Sequence, residues 1–102
     1  MEIKRTKNGN ELTVVVSGKI DTGTAASFEA GVKPYLEGVT SLILDLDGVD
    51  YVSSAGLRAL LSLQKIMNKQ DSMKLVNVSS LVSDVFEVTG FSDILQYEKG
   101  ES

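Results

Sequence analysis

Two adjacent serines, Ser53 and Ser54, are the residues of this chain best placed to carry chemistry. They stand between a strand-like apolar segment and a helix-like apolar pattern. A serine at a helix start can cap the helix, because its oxygen accepts a hydrogen bond from a free backbone N–H and stabilises the helix by about 1 kcal/mol. Capping explains the presence of one serine at the helix start, either Ser53 or Ser54. It leaves the second hydroxyl and the small Ala55-Gly56 step unexplained.

An accessible serine at a helix start is also a good acceptor for a phosphate group. The helix N-terminus offers unpaired N–H groups and a positive dipole end. Phosphorylation adds about −1.5 to −2 charges at neutral pH, which a partner surface fitted to the neutral hydroxyl would not accept. Arg58 follows Ser54 by four residues and so projects from the same helix face. Its guanidinium could meet a phosphate on Ser54 or a partner's carboxylate; the alternative is a solvated arginine on a polar stripe.

The composition argues against catalysis. The chain has no histidine and no cysteine, which removes the commonest general base, the thiolate nucleophile and the commonest metal ligands. A nucleophilic Ser54 would need a lysine, and the next one, Lys65, lies three turns along the helix. Asp45 and Asp47 share one strand face and could hold a hard cation, but the pattern favours a solvated strand end. We therefore expect no enzyme, no metal and no cofactor.

Length and charge limit the class of protein further. The 102 residues suit one domain spanning 1–102. The net charge of −4 disfavours nucleic acid as a partner, since phosphate binding needs a basic face. The start of the chain does not resemble a signal peptide, and no segment approaches the roughly 20 apolar residues of a membrane span. A cytoplasmic protein with no membrane partner is expected, with a frayed polar tail at 99–102.

Strand and helix patterns alternate along the chain. The sequence predicts a hairpin around Asn8–Asn10, a helix over 20–38, a strand over 40–48, a helix after the serines, a strand over 73–78, a helix over 79–90, and a final helical turn with an edge strand over 91–98. The strand–helix–strand order implies a parallel crossover. The fold class is therefore α/β, with a small mixed β-sheet of four to five strands.

The helical spacing also predicts caps and buried faces. Thr22 or Thr24 is expected to cap the first helix, and Pro34 predicts a bend or an early end. Ser79 or Ser80 is expected to cap the last helix. The apolar residues expected to face the core from these two helices are Ala25, Phe28, Val32, Tyr35, Leu36, Leu81, Val82, Val85 and Phe86.

Three segments carry a family resemblance. "LILDLDGVDYVSSAGLRALL" resembles the signature of STAS domains, the anti-sigma factor antagonists of bacteria, in which an apolar strand precedes Asp-Ser-[Ser/Thr/Ala]-Gly-Leu. "VSGKIDTGTAASFE" is similar to the family's Gly-Glu-[Leu/Ile]-Asp segment, with Gly18, Ile20 and Asp21 matching and Lys19 differing. "MKLVNVSSLVSDVFEVTGFSDIL" is similar to the third family segment. The resemblance covers nearly the whole chain and implies a STAS-like fold with helices packed on one face of the sheet.

The resemblance implies a binding protein switched by phosphate. The unphosphorylated form would bind an anti-sigma factor that is also a serine kinase, and so free the sigma factor. Phosphorylation of the serine that corresponds to Ser54 would break this binding, and a serine phosphatase would restore it. The partner-binding patch is expected to comprise Asp21, Thr22, Thr24, Ser53, Ser54, Ala55, Gly56 and Arg58.

One departure from the family pattern keeps other hypotheses open. Ser53 stands where the family usually has aspartate. The change removes a negative charge and adds a hydroxyl, so Ser53 is a second candidate for phosphorylation and the kinase partner could differ. A second hypothesis is a STAS scaffold or accessory subunit of a signalling or lipid-transport assembly, without control by phosphate. An enzyme is the third.

Overall fold

Strands and helices alternate in the predicted order in a computed structural model, which describes residues 1–100. The elements are β1 (Glu2–Asn8), β2 (Glu11–Ser17), α1 (Ala25–Val32), a 3₁₀ turn (Lys33–Tyr35), β3 (Ser41–Gly48), α2 (Ser54–Gln70), β4 (Ser72–Val78), α3 (Ser80–Thr89), a second 3₁₀ turn (Phe91–Asp93) and β5 (Tyr97–Lys99). The first two residues of the tail expected to fray are ordered by hydrogen bonding to β4. Lys99 ends β5, and the N–H of Gly100 donates to the carbonyl of Val78 at 3.0 Å. Residues 101 and 102 lie outside the described part of the chain.

The sheet follows the chain from edge to edge, in the order β1-β2-β3-β4-β5. β1 pairs antiparallel with β2 through a two-residue turn, in which Asn8 faces Glu11. Gly9 has a φ of +62°, which suits the first central position of such a turn. The remaining neighbours pair parallel, with a helix on each crossover. The predicted mixed sheet and parallel crossovers are confirmed.

All three helices cover the same face of the sheet. Alternate residues of the central strands, such as Val14 and Leu44, are fully buried beneath the helices. Their neighbours Val15 and Asp45 point to the opposite face, where Val15 is 40% exposed and Asp45 half-buried. This alternation is what a sheet covered on one side requires. Phe28 of α1, Leu60 of α2 and Phe86 of α3 complete the core.

Two predicted core residues lie at the surface instead. Tyr35 is 47% exposed, because α1 ends at Val32 and the 3₁₀ turn containing Pro34 breaks the helical spacing that would have carried the ring inward. Leu81 is 65% exposed. The core-facing side of α3 is filled by other residues of the helix, so Leu81 in its first turn faces solvent. Within residues 1–100, no helix combines the length and apolarity that a membrane crossing demands.

Candidate functional site

The two serines at the start of α2 have different environments. Ser53 is the N-cap: its backbone is extended, and its Oγ accepts a hydrogen bond from the N–H of Gly56 at 3.2 Å. Ser54 is the first helical residue and is exposed. Among residues 1–100 its hydroxyl makes no hydrogen bond. The choice that the sequence left open is thus decided, with Ser53 as the cap and Ser54 as the free hydroxyl.

The surroundings of Ser54 favour an anion. The first N–H groups of a helix have no intrahelical partner, and the Ser53 cap takes up only that of Gly56. The positive end of the α2 dipole adds to this effect. Arg58, one turn further along α2, is exposed and has no ion-pair partner in the described part of the chain. A negative group on Ser54 would therefore meet free N–H donors and a cation within reach.

A loop between β2 and α1 lies beside the start of α2. Its internal structure comes from Asp21, whose carboxylate accepts hydrogen bonds from the N–H groups of Gly23 at 2.9 Å and Thr24 at 3.1 Å. The expected threonine cap is not made. Thr24 occupies the N-cap position of α1, but its hydroxyl donates to the carbonyl of Lys19 at 2.6 Å and its backbone is helical rather than extended. Asp21 thus serves in place of a hydroxyl cap.

Ile20 ties this loop to the segment before α2. Its N–H donates to the carbonyl of Tyr51 at 3.0 Å, and its carbonyl accepts from the N–H of Ser53 at 2.9 Å. Gly56 packs directly on the same carbonyl: a Cβ added at Gly56 would lie 2.5 Å from the Ile20 oxygen and 2.9 Å from a methyl carbon of Val52. The small residue after the serines is thus required by the close approach of helix and loop.

The residues of the predicted partner-binding patch differ in their exposure to solvent. Its exposed members are Thr22, Ser54 and Arg58; its half-buried members are Asp21, Thr24, Ser53 and Ala55; Gly56 is buried. The Ile20 hydrogen bonds bring the loop and the helix start together. Gly56 offers no surface to a partner, so its contribution is to let the helix approach the loop. Partner binding by the other residues stays a prediction.

Tyr51 is a further candidate contact residue, which the sequence reasoning did not name. Its side chain is 50% exposed, and its backbone bonds to Ile20 beside the Ser53 cap. Asp50 and Lys19, also exposed, flank the same junction. Aromatic residues are enriched at protein–protein interfaces, where they act as anchors. A tyrosine two residues before a serine pair, in a connecting segment, was the sequence signal that could have identified it.

Asp45 of β3 is held by hydrogen bonds within the fold. The Asp45 carboxylate accepts hydrogen bonds from the N–H of Asp47 at 3.0 Å and from the side-chain amide of Asn77 at 3.1 Å. Within residues 1–100 no group of three or more acidic residues is arranged to hold a metal ion. These contacts give the Asp45 carboxylate a role within the fold, and Asp47 is exposed to solvent.

Comparison with known proteins identifies the family. Residues 2–101 match the STAS domain. The chain belongs to the STAS domain family. A relative of this STAS chain, the anti-sigma-B factor antagonist of Bacillus subtilis (strain 168), is 32% identical over 90 residues, which cover 87% of this chain and 83% of that protein.

Solved structures share the fold of this STAS chain. An anti-sigma factor antagonist from Mycobacterium paratuberculosis has a TM-score of 0.84 at 22% identity, covering 94% of this chain and 83% of the other. The Bacillus cell fate determinant SpoIIAA in its phosphorylated form has a TM-score of 0.71 at 15% identity, covering 96% and 92%. At these identities the likeness concerns the fold, and it confirms the predicted STAS-like architecture.

Proposed function

We propose that this STAS chain is an anti-sigma factor antagonist that works by binding rather than by catalysis. In its unmodified form it binds an anti-sigma factor with serine-kinase activity, and it releases that partner when Ser54 carries a phosphate. The observation that carries the proposal is the exposed hydroxyl of Ser54 at the first residue of α2. The name of the Bacillus subtilis relative, anti-sigma-B factor antagonist, supports the proposed partner.

Ser54 is the better phosphate acceptor of the two serines. The Ser53 oxygen already accepts the N–H of Gly56, and the side chain is only partly exposed. Modifying Ser53 would disturb a cap that contributes about 1 kcal/mol to the helix. A phosphate on Ser54 would leave the cap intact and lie near free N–H groups and the positive helix end.

The phosphate would break binding through its charge. A partner surface that closes over Ser54 and Tyr51 excludes water, and burying an unpaired dianion there costs several kcal/mol. Arg58 is positioned to pair with the phosphate in the free protein, since residues four apart on a helix are neighbours. Phosphorylation would therefore stabilise the unbound state and destabilise the complex. A serine phosphatase would reverse the switch, and because the kinase consumes ATP, the cycle is proposed to run in the cytoplasm.

The test uses the kinase-type anti-sigma factor encoded by the same genome. The chain is incubated with this protein and ATP, and the phosphate is located by mass spectrometry. Titration calorimetry then compares wild type with Ser54→Asp. The matched control is Ser80→Asp, because Ser80 is also an exposed first helical residue preceded by a capping serine, Ser79, whose Oγ accepts the N–H of Val82 at 3.2 Å.

The expected result is phosphate on Ser54 and at least a tenfold loss of affinity in Ser54→Asp, with Ser80→Asp close to wild type. In the phosphorylated protein, Arg58→Ala should be dephosphorylated faster than a Lys65→Ala control while unmodified binding is retained. Phosphate on Ser53 alone, or equal affinity of Ser54→Asp and wild type, would contradict the switch. Tight binding that no modification alters would favour the scaffold or accessory-subunit hypothesis.

A further inference from the structure

A basic cleft lies at the opposite end of the sheet from Ser54. Its volume is about 340 Å³, and it is lined by Arg5, Lys7, Leu12, Pro34, Tyr35 and Glu37. It forms where the β1–β2 hairpin meets the 3₁₀ turn after α1. Leu12 is the second residue of β2 and Gly18 follows the end of that strand, so a six-residue rise of about 20 Å separates the cleft from the loop that leads to Ile20, beside the start of α2. The cleft shares no lining residue with the proposed switch.

Arg5 is held in a fixed orientation in this cleft. The Cζ atom of its guanidinium lies 4.1 Å from the centroid of the Tyr35 ring. Its Nη1 donates a hydrogen bond to the carbonyl of Gly31 at 3.0 Å. A guanidinium has five N–H donors in a rigid planar fork, so most of them remain available to a ligand. A side chain that is already ordered loses less conformational freedom when it binds.

The two cations of the cleft have no internal counterion. In the part of the chain that the structure describes, the ion pairs join Lys33 to Glu29 and Lys74 to Glu98, and neither Arg5 nor Lys7 has a carboxylate within 4.0 Å. Glu37 lines the same cleft without pairing with either. In a chain with 14 acidic and 10 basic residues, two neighbouring unpaired cations mark a place suited to an external anion.

We propose that this cleft binds a small phosphate monoester with an apolar body. The Arg5 fork matches two phosphate oxygens, and Lys7 supplies the second positive charge that a dianion requires. The Tyr35 ring, Pro34 and Leu12 form an apolar wall for the rest of the ligand. The volume lies at the lower end of the roughly 300–1,000 Å³ of ligand sites, which limits the ligand's size. The Glu37 carboxylate opposes the anion and weakens its binding.

The experiment titrates the full chain, labelled with ¹⁵N, with phenyl phosphate in an NMR spectrometer. Saturable shifts are expected at the amides of the cleft, including those of Lys7 and Glu37. Lys7→Gln should weaken binding and Glu37→Gln should strengthen it, each by about two- to fivefold, the effect typical of one exposed ion pair. Lys65→Gln, which removes an equivalent exposed charge on α2, should leave the affinity unchanged. Phenol and benzoate, which lack the phosphate, should bind at least tenfold more weakly.

Several outcomes would overturn the proposal. These are the absence of saturation at the cleft, shifts confined to the start of α2, weaker binding in Glu37→Gln, or equal losses in Lys7→Gln and Lys65→Gln. Benzoate binding as tightly as phenyl phosphate would refute the phosphate specificity. Arg5→Lys keeps the charge but removes the fork, so it should weaken binding more than Lys65→Gln does. Because Arg5 also holds Gly31, the variants of Lys7 and Glu37 decide the question if Arg5→Lys fails to fold.

Discussion

Replacing Gly56 by alanine tests how closely α2 packs against the loop between β2 and α1, which contains Ile20 and Asp21. In an ordinary helix this substitution stabilises a protein by about 1 kcal/mol, because glycine loses more backbone freedom on folding. Here the added Cβ would stand 2.5 Å from the Ile20 carbonyl oxygen and 2.9 Å from carbon atoms of both Ile20 and Val52. The oxygen belongs to the backbone and cannot rotate away, so either the helix or the loop must move.

The expected net effect is a loss of about 2 kcal/mol. Overpacking in a well-packed interior costs about 1–3 kcal/mol, and contact with a fixed backbone atom places this site at or above the top of that range. The helix-propensity gain of about 1 kcal/mol offsets part of the cost. For a domain of about this size, each kcal/mol lowers the melting temperature by about 4–8 °C. Gly56→Ala should therefore melt about 8–16 °C below wild type.

Gly31→Ala is the matched control. Gly31 is also helical, but a Cβ there would meet the tip of the Ile3 side chain, at 2.7 Å, and that methyl group can rotate away. Its stability should stay within about 1 kcal/mol of wild type. The assay is urea and thermal unfolding followed by far-UV circular dichroism. If Gly56→Ala proved as stable as wild type, or if both variants lost the same stability, the tight junction at Ile20 would be refuted.

Two further substitutions test the contribution of single hydrogen bonds to stability. Ser53→Ala should lower the free energy of unfolding by about 1 kcal/mol, because it removes the hydrogen bond between the Ser53 hydroxyl and the N–H of Gly56. Ser54→Ala should change the free energy of unfolding by less than about 0.5 kcal/mol. Urea unfolding measures both variants, and equal losses would contradict the assignment of Ser53 as the cap. Tyr97→Phe should destabilise the protein by about 1–3 kcal/mol, because the buried Ser83 hydroxyl loses its hydrogen-bond partner, the Tyr97 hydroxyl 3.2 Å away. Tyr35→Phe, which changes an exposed ring, is the control. A wild-type melting temperature for Tyr97→Phe would contradict this role of the Tyr97 hydroxyl.

Much of the fold follows from local patterns in the sequence. The asparagine–glycine turn predicted the hairpin, and the strand expected over 40–48 is β3 (Ser41–Gly48). Gly90, at the end of the last predicted helix, has a left-handed φ of +81°, which only glycine adopts easily. These features depend on residues a few positions apart, so the sequence alone was sufficient to predict them.

The sequence determined that a serine stands at a helix start, but only the tertiary structure decided which serine is free. The local pattern allowed either Ser53 or Ser54 to cap; the Ile20 carbonyl fixes the backbone N–H of Ser53 and so places Ser54 on the outside. Leu81 was misplaced for the same reason, since helical spacing gives a periodicity without saying which elements cover it. Tyr35 was misplaced because α1 ends at Val32 and the 3₁₀ turn changes the spacing. Contacts between residues distant in the chain decide which face of a helix is covered, and the spacing of residues within that helix gives no information about those contacts.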